Sequence, residues 1–193
     1  MVETLSKFGV PINGTRQGVY MPKIKHRFRV RVINFGPIAG GLELTQQVMT
    51  VDRPTVQMNA VEFHAYNSRM YYAEKANWQS INLEVRDDIT NSVSKLVGHQ
   101  LQKQMNFFEQ TSVAAGINYK FTTLIEILDG GNEATFEQWT LEGCFLESVN
   151  YQQLDYSSSD PVTIQMQIRY DNATLGDGLF ELNPQFRPGV TFG

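Results

Sequence analysis

A single cysteine, Cys144, stands in a chain of 193 residues. No disulfide can form within it, which excludes a small stapled scaffold and leaves stability to the core. Histidine is nearly as scarce. His26, His64 and His99 lie far apart, and none has Cys, Asp or Glu at metal-ligand spacing. Basic residues are outnumbered, 16 Lys and Arg against 20 Asp and Glu, for a net charge of −4. That balance argues against a protein that wraps nucleic acid through its phosphates. It leaves room for a surface past which nucleic acid slides. No apolar run approaches transmembrane length. Residues 1–10 mix acid and base without an apolar stretch, so they read as no signal peptide. Gly-x-Gly-x-x-Gly, Walker and Gly-x-Ser-x-Gly motifs are missing. Nothing here calls for a cofactor, and the chain reads as no enzyme.

What is present is alternation. The length fits one domain with extensions. From His26 the sequence places Phe28, Val30 and Val32 on one face and Arg27, Arg29 and Arg31 on the other, the period-two signature of a half-buried strand. We read the arginine stripe as paired with carboxylates across a ladder at a subunit boundary, in preference to a nucleic-acid contact. Residues 78–86 form a second clear strand, with Ile81, Leu83 and Val85 inward and Ser80, Asn82, Glu84 and Arg86 outward. Residues 121–128 follow suit, and Asp129-Gly130-Gly131-Asn132 reads as a hairpin turn. In 136–151, Trp139, Leu141, Phe145 and Val149 share one face, with Gln138, Thr140, Glu142 and Cys144 opposite. Gly143 marks close packing or a bulge. The last strand alternates Val162, Ile164, Met166, Ile168 and Tyr170 with Thr163, Gln165, Gln167, Arg169 and Asp171.

Two regions break the rhythm. Val93, Leu96, Val97, Leu101, Met105 and Phe108 recur at helical spacing and predict one amphipathic helix over about 90–108. Asp87 and Asp88 suit its positive end, and Thr90 or Asn91 can cap it. Residues 36–59 alternate poorly. Gly36, Pro37, Gly40, Gly41, Asp52, Arg53 and Pro54 punctuate them, and the segment reads as protruding from the body. Gly- and Pro-rich stretches at 1–21 and 172–193 read as extended arms around a body of 22–171. The class is mainly β: two packed antiparallel sheets, sandwich or open barrel, with one flanking helix.

Chemistry is hard to find in this pattern. Cys144 falls mid-strand, where a thiolate is not activated. Glu126, Glu137, Glu142 and Glu147 are spread along strands and not paired at a mouth. The outward faces, however, are unusual. Gln138, Thr140, Thr163, Gln165, Gln167, Ser80 and Asn82 replace the usual Lys/Glu mixture. Neutral polar faces on long strands suit packing against copies of the same chain, or the wall of a wide aqueous channel. A symmetric ring would also cover the strand edges.

Three runs carry a resemblance: P-K-I-K-H-R-F-R-V at 22–30, W-Q-S-I-N-L-E-V-R-D-D-I-T-N-S at 78–92, and the stretch from W-T-L-E-G-C to Q-I-R-Y-D-N at 139–172. They resemble the tail tube proteins of contractile-tailed bacteriophages, a family that shares its fold with the type VI secretion tube protein. The resemblance implies hexameric rings stacked into a rigid tube within a contractile sheath. It implies a lumen that passes double-stranded DNA and tape measure protein. Sheath, baseplate and tail-terminator proteins would be partners, and the chain would reside in the virion after assembly in the host cytoplasm. A baseplate tube initiator, or a type VI-like tube protein, is the alternative.

On that footing Gln138, Thr140, Glu142, Thr163, Gln165 and Gln167 are expected to line the lumen, with Ser80, Asn82 and Glu84 as alternates should the other sheet face inward. The 36–59 segment would bridge rings. Arg27, Arg29, Arg31 and Arg169 would pair with carboxylates between subunits.

Overall fold

The computed structural model describes residues 23–37, 41–43, 46–113, 115–128 and 135–176. The expected 129–132 turn and the 1–21 arm lie outside them, as does the chain beyond Gly176.

The order of elements is β1 (Phe28–Ile33), β2 (Gly41–Glu43), β3 (Val48–Val51), β4 (Val56–Ala65), β5 (Ser68–Trp78), β6 (Ile81–Arg86), α1 (Ser92–Gln104), β7 (Met105–Asn106), β8 (Thr111–Ser112), β9 (Phe121–Leu128), β10 (Thr135–Asn150), β11 (Thr163–Arg169) and β12 (Asn172–Gly176). The main ladder runs β2-β1-β9-β10-β11-β6-β3, antiparallel throughout, with β12 also on β10.

The 16-residue strand β10 organises this ladder. Its first half lies between β9 and β12, and its second half pairs with β11. β11 and β12 run on past the same strand, with Phe145 opposite Arg169 and Glu142 opposite Asn172. So the chain expected to become an arm at residue 172 adds five more ladder residues.

The two halves close on one core. Val30, Val32, Ile125 and Leu141 come from one half, and Ile81, Leu83, Val85, Ile164, Met166 and Ile168 from the other. Each sits where the alternation places it. Trp139 and Val149 pack against the same cluster.

Gly143 interrupts the alternation of β10. It has φ +67°, and an added Cβ would meet Asp171 Oδ2 at 2.1 Å. The register shifts here between Leu141 and Cys144. This bulge reverses the parity of the strand. Cys144 therefore enters the core, fully buried, and does not share the outward face of Gln138, Thr140 and Glu142. Phe145 leaves the expected inward set and meets Tyr119 edge-on at 6.5 Å.

α1 is shorter than its apolar stripe. It spans Ser92–Gln104, and Val93, Val97 and Gln100 are its buried residues. Met105 turns into β7, and Phe108 stands 95% exposed at the tip of the small β7–β8 hairpin. Asn91 holds φ 59° and makes no side-chain cap. Asp88 does that work instead, accepting from the Ser92 N–H at 2.9 Å and from Thr90 Oγ1 at 2.9 Å. These bonds hold the Asp88 carboxyl below its ordinary pKa, led by the Ser92 N–H.

Two glutamines one turn apart fix the helix to the sheet. Gln100 accepts from the Gly36 N–H at 2.9 Å and donates to the Tyr119 carbonyl at 2.7 Å. Gln104 binds the backbone of Leu146 in β10. Gln100 is fully buried and Gln104 half-buried, and amides with both ends satisfied at such sites specify one docking register.

Candidate assembly surfaces

The outward face of the second half of the ladder is a polar wall. Pairing aligns Thr50, Glu84, Gln165 and Asn150 in one row across β3, β6, β11 and β10. Asn82, Gln167 and Ser148 form the next row. Ser148 Oγ donates to Gln167 at 3.1 Å, and the Gln152 amide donates to Gln165 at 3.3 Å. Asn82 meets Asp52 through its N–H at 3.1 Å and its side-chain amide at 2.9 Å. Thr163 stands opposite Arg86 at the margin. So β6 and β11, expected to offer alternative surfaces, supply one surface together. Ser148, Asn150 and Thr50 belong to it as well. The double parity change in β10 hid the first two, since the register shifts again between Leu146 and Ser148.

Gln138, Thr140 and Glu142 lie elsewhere, on the outward face of the other half. Gln138 is level with Glu126 and, beyond it, Arg29. Thr140 is level with Leu124 and Arg31. That face is ionic. Arg29 Nε sits 2.5 Å from Glu126, and Arg31 reaches the same carboxylate at 3.9 Å. Arg29 and Arg31 thus meet a carboxylate of their own chain. Arg169 lies 3.4 Å from Ser80 Oγ and 3.4 Å from Asn77 Oδ1. Ser80 also donates to Glu147.

A second carboxylate gathers the roots of several segments. Glu137 receives Lys23 Nζ at 2.6 Å, the Trp139 indole N–H at 2.8 Å and the Arg53 guanidinium. Burial alone would raise its pKa. Lys23, Trp139 and Arg53 outweigh that and hold it below the usual value.

The part of the chain that projects is β4–β5. Among the described residues this hairpin pairs only with itself, from Val56 opposite Trp78 to Ala65 opposite Ser68. Almost all of its residues are exposed. Near the tip Phe63 and Met70 face each other, as do Val61 and Tyr72. Phe63, Met70, Tyr71 and Tyr72 are each more than half exposed. The other face of the tip carries the ion pair of Glu62 with Arg69 at 3.2 Å. Tyr66 sits at the turn with φ 55° and is fully exposed. The root is firm: Trp78 stacks obliquely on Tyr170 with centroids 5.8 Å apart, and Gln79 N–H donates to the Thr55 carbonyl at 2.9 Å.

The expected bridging residues are placed differently. Gly36 is buried under α1, and Gly41 begins β2 in the main ladder. Pro37 is exposed in the turn beside Gly36. Asp52 and Arg53 are bound to the body, and Pro54 lies between β3 and β4. Gly40 falls outside the described residues. Poor alternation at 36–59 arose because short edge strands and turns share that stretch. The hairpin itself begins at Val56 and ends at Trp78.

Among the described residues no three His, Cys, Asp or Glu side chains gather as a metal cage. Burial pushes the Cys144 thiol up to about 11, the opposite of an activated nucleophile. No described helix is long and apolar enough to cross a membrane.

The comparisons agree with this architecture. No family model matches the chain, and no curated protein does. Solved structures do. A chain of the anti-feeding prophage baseplate superposes with TM-score 0.64 at 16% identity, covering 83% of this chain and 99% of the other. A chain of the cap that terminates the anti-feeding prophage tube gives 0.63 at 13% identity, over 83% and 94%. A chain from the sheath–tube complex of an extracellular contractile injection system gives 0.57 at 13% identity, over 82% and 94%. The protein has a tail-tube-type fold. These neighbours are structural components of contractile injection machines.

Proposed function

We propose that this chain is the structural subunit of a phage tail tube, forming hexameric rings that stack into a hollow conduit inside a contractile sheath. The observation that carries the reading is the hairpin β4–β5. A tail-tube-type body exposes, on a two-stranded arm with no core of its own, the apolar side chains Phe63, Met70 and Tyr72. Isolated two-stranded hairpins are marginal in water, and exposed apolar clusters of this kind mark contact surfaces. Docking this hairpin on the next ring covers it, so we assign ring stacking to Val56–Trp78, which shares only residues 56–59 with the 36–59 segment. The wall of Gln165, Gln167, Asn82 and Ser148 is the lumen surface in this reading. These four side chains are neutral and the charged neighbours among them, Glu84 and Asp52, are acidic, so the wall gives passing DNA few fixed cations to bind. The ionic face of Arg29, Arg31 and Glu126 is then turned toward other subunits or the sheath. Sheath, baseplate and terminator proteins are the expected partners, and tape measure protein and DNA the expected contents.

The test is assembly. Purified protein viewed in negative stain should show rings and tubes. Phe63→Lys with Met70→Lys should retain the folded body, by circular dichroism and thermal melting, yet yield rings without tubes. Long tubes from the double variant would overturn the assignment of stacking to the hairpin. A stable monomer at high concentration in light scattering would overturn the tube reading itself.

A second reading has an observation of its own, since the TM-scores of the baseplate and cap chains exceed that of the sheath–tube chain. A tube initiator would form one ring and stop, with a few copies per particle. Copy number by quantitative mass spectrometry of intact particles separates the two.

A further inference from the structure

The second half of the ladder has two unlike ends. β3 leaves it at the level of Ile81, where the Asp52 N–H donates to the Asn82 carbonyl at 3.0 Å, and the chain re-enters there from Trp78. The β4–β5 hairpin therefore stands on that end. The other end lies about 17 Å away along β6. There the 151–162 loop joins β10 to β11, and Thr163 starts β11 opposite Arg86.

This loop is too long for a tight hairpin turn, and its own polar groups shape it. Asp155 accepts from the Ser157 N–H at 2.9 Å and from Ser157 Oγ at 2.8 Å. Ser158 Oγ donates to Asp160 at 2.7 Å, and the Val162 carbonyl takes the Asp87 N–H at 3.0 Å. A cleft of about 590 Å³ lies between the loop and Glu84. Leu154, Tyr156 and Val162 give it apolar surface, and all three are exposed. Its charged residues are Glu84, Asp155 and Asp160, with no Lys, Arg or His among the described residues that line it. None of the three acids is in an ion pair among the described residues. An apolar and acidic cleft fits an apolar partner that brings a cation and no carboxylate of its own.

The hairpin tip has that chemistry. Residues 63–70 read F-H-A-Y-N-S-R-M, without Asp or Glu. Phe63 and Met70 share one face, and His64 lies opposite Arg69 on the other. Arg69 binds Glu62 at 3.2 Å, yet 66% of its side chain is exposed. A guanidinium carries five N–H donors, so Arg69 can meet a second carboxylate without releasing the first. The tip does not serve the cleft of its own subunit: the two leave opposite ends of the body, and the hairpin residues are exposed, not laid back along it. A donor at one pole and an acceptor at the other make a heterologous contact, which repeats along an axis without closing.

We propose that the cleft under the 151–162 loop receives the β4–β5 hairpin tip of a second copy in the adjacent ring. Phe63 and Met70 seat against Leu154 and Tyr156, and Arg69 approaches Asp155 and Asp160. This rests on the reading of the chain as a tube subunit and supplies the partner surface for its hairpin.

Three measurements on the full chain decide it. Tyr66→Cys, at the hairpin turn, is combined in turn with Leu154→Cys and Tyr156→Cys; the natural Cys144 is buried and stays silent. Mild oxidation of assembled protein should give, for at least one pair, a ladder of disulfide-linked multimers on a non-reducing gel, since each chain bonds one copy above and one below. Tyr66→Cys with Phe108→Cys, on the β7–β8 hairpin, is the control and should give no ladder. Leu154→Lys with Tyr156→Lys should keep the natural melting temperature and form rings, yet raise the concentration needed for tubes at least tenfold. Rings of that variant mixed with rings of Phe63→Lys/Met70→Lys should pair two by two and stop, because one intact hairpin meets one intact cleft and both outer ends are disabled. Tubes from the loop variant at the natural concentration, no ladder from either cysteine pair, or mixed rings that stay single would each overturn the proposal. Natural tubes in those cases leave the tube reading standing, whereas a natural chain that stays monomeric overturns both.

Discussion

The side-chain amide of Gln104 substitutes for a missing strand beside Leu146: it donates to the Leu146 carbonyl at 2.9 Å and accepts from the Leu146 N–H at 2.9 Å. Beyond Phe121 the strand β9 no longer flanks β10, and the helix supplies the pairing. Gln104→Leu would strip both groups of their partner and should destabilise the fold by about 1–3 kcal/mol. Gln104→Glu keeps an acceptor and loses the donor, so its cost should fall between. Urea midpoints with unchanged slopes would measure both. An unmoved midpoint for Gln104→Leu would mean that water replaces the pairing without loss.

Gly143 and Asp171 should behave as a coupled pair. Gly143 has φ +67°, and a Cβ there would collide with the Asp171 carboxylate, which Lys120 binds at 2.5 Å. Gly143→Ala should cost about 1–3 kcal/mol from backbone strain and displacement of Asp171. Asp171→Gly removes the collision but not the strain, so the cost of Gly143→Ala should shrink in that background without vanishing. A double-mutant cycle reads the coupling directly, and strictly additive costs would refute it.

Glu137 predicts an acid limb in stability. Its folded pKa lies below the ordinary 4.5. Its contribution is therefore complete above the unfolded value and is lost as pH falls through the folded one. Glu137→Gln should be less stable than the natural protein at pH 7. The gap should narrow below about pH 4.5 and close once Glu137 is protonated in the fold. Urea unfolding from pH 7 to pH 3 tests this, and a gap independent of pH would assign the loss to packing.

The polar wall makes an asymmetric demand on sequence. Gln165→Lys with Gln167→Lys changes side chains that point outward between buried Ile164, Met166 and Ile168, so subunits should fold and tubes form. If the proposed hexameric tube is right, twelve new cations per ring should slow DNA ejection through phosphate binding, most strongly at low salt. Gln→Ser at both positions should leave ejection unchanged. Single-particle ejection kinetics across a salt series would decide. Wild-type rates from the lysine tube would remove these residues from the lumen.

Much of the β framework was legible in the sequence because strand faces repeat every second residue and burial follows them. Ile81, Leu83 and Val85, or Ile164, Met166 and Ile168, need only that rule. What escaped were the places where one residue changes the count. Gly143 announces a bulge, but a pattern cannot say on which side the extra residue falls, and so Cys144 and Phe145 were assigned to exchanged faces. Helical spacing overran at Met105 and Phe108, since apolar periodicity persists where the backbone has already turned into β7. The cap went to Asp88 because Asn91, left-handed and outside the extended conformation of an ordinary N-cap, makes no side-chain bond to the first turn. The hairpin β4–β5 was hardest, as an exposed arm keeps apolar residues on both faces and loses the alternation that buried strands show. The polar wall needed registers, which local sequence does not contain.

Cys144 has a consequence for where this protein can work. It is the chain's one thiol, wholly enclosed by the core and raised by burial to about 11. At neutral pH it stays a thiol and not the reactive thiolate, even before access is considered. No second thiol is available for an internal disulfide, and this one is beyond the reach of oxidants or a neighbouring copy. The thiol–disulfide state of the chain is therefore the same at a glutathione-rich potential and in air. A particle built from such subunits could pass from a reducing cell interior to the open environment without any disulfide being made, broken or exchanged.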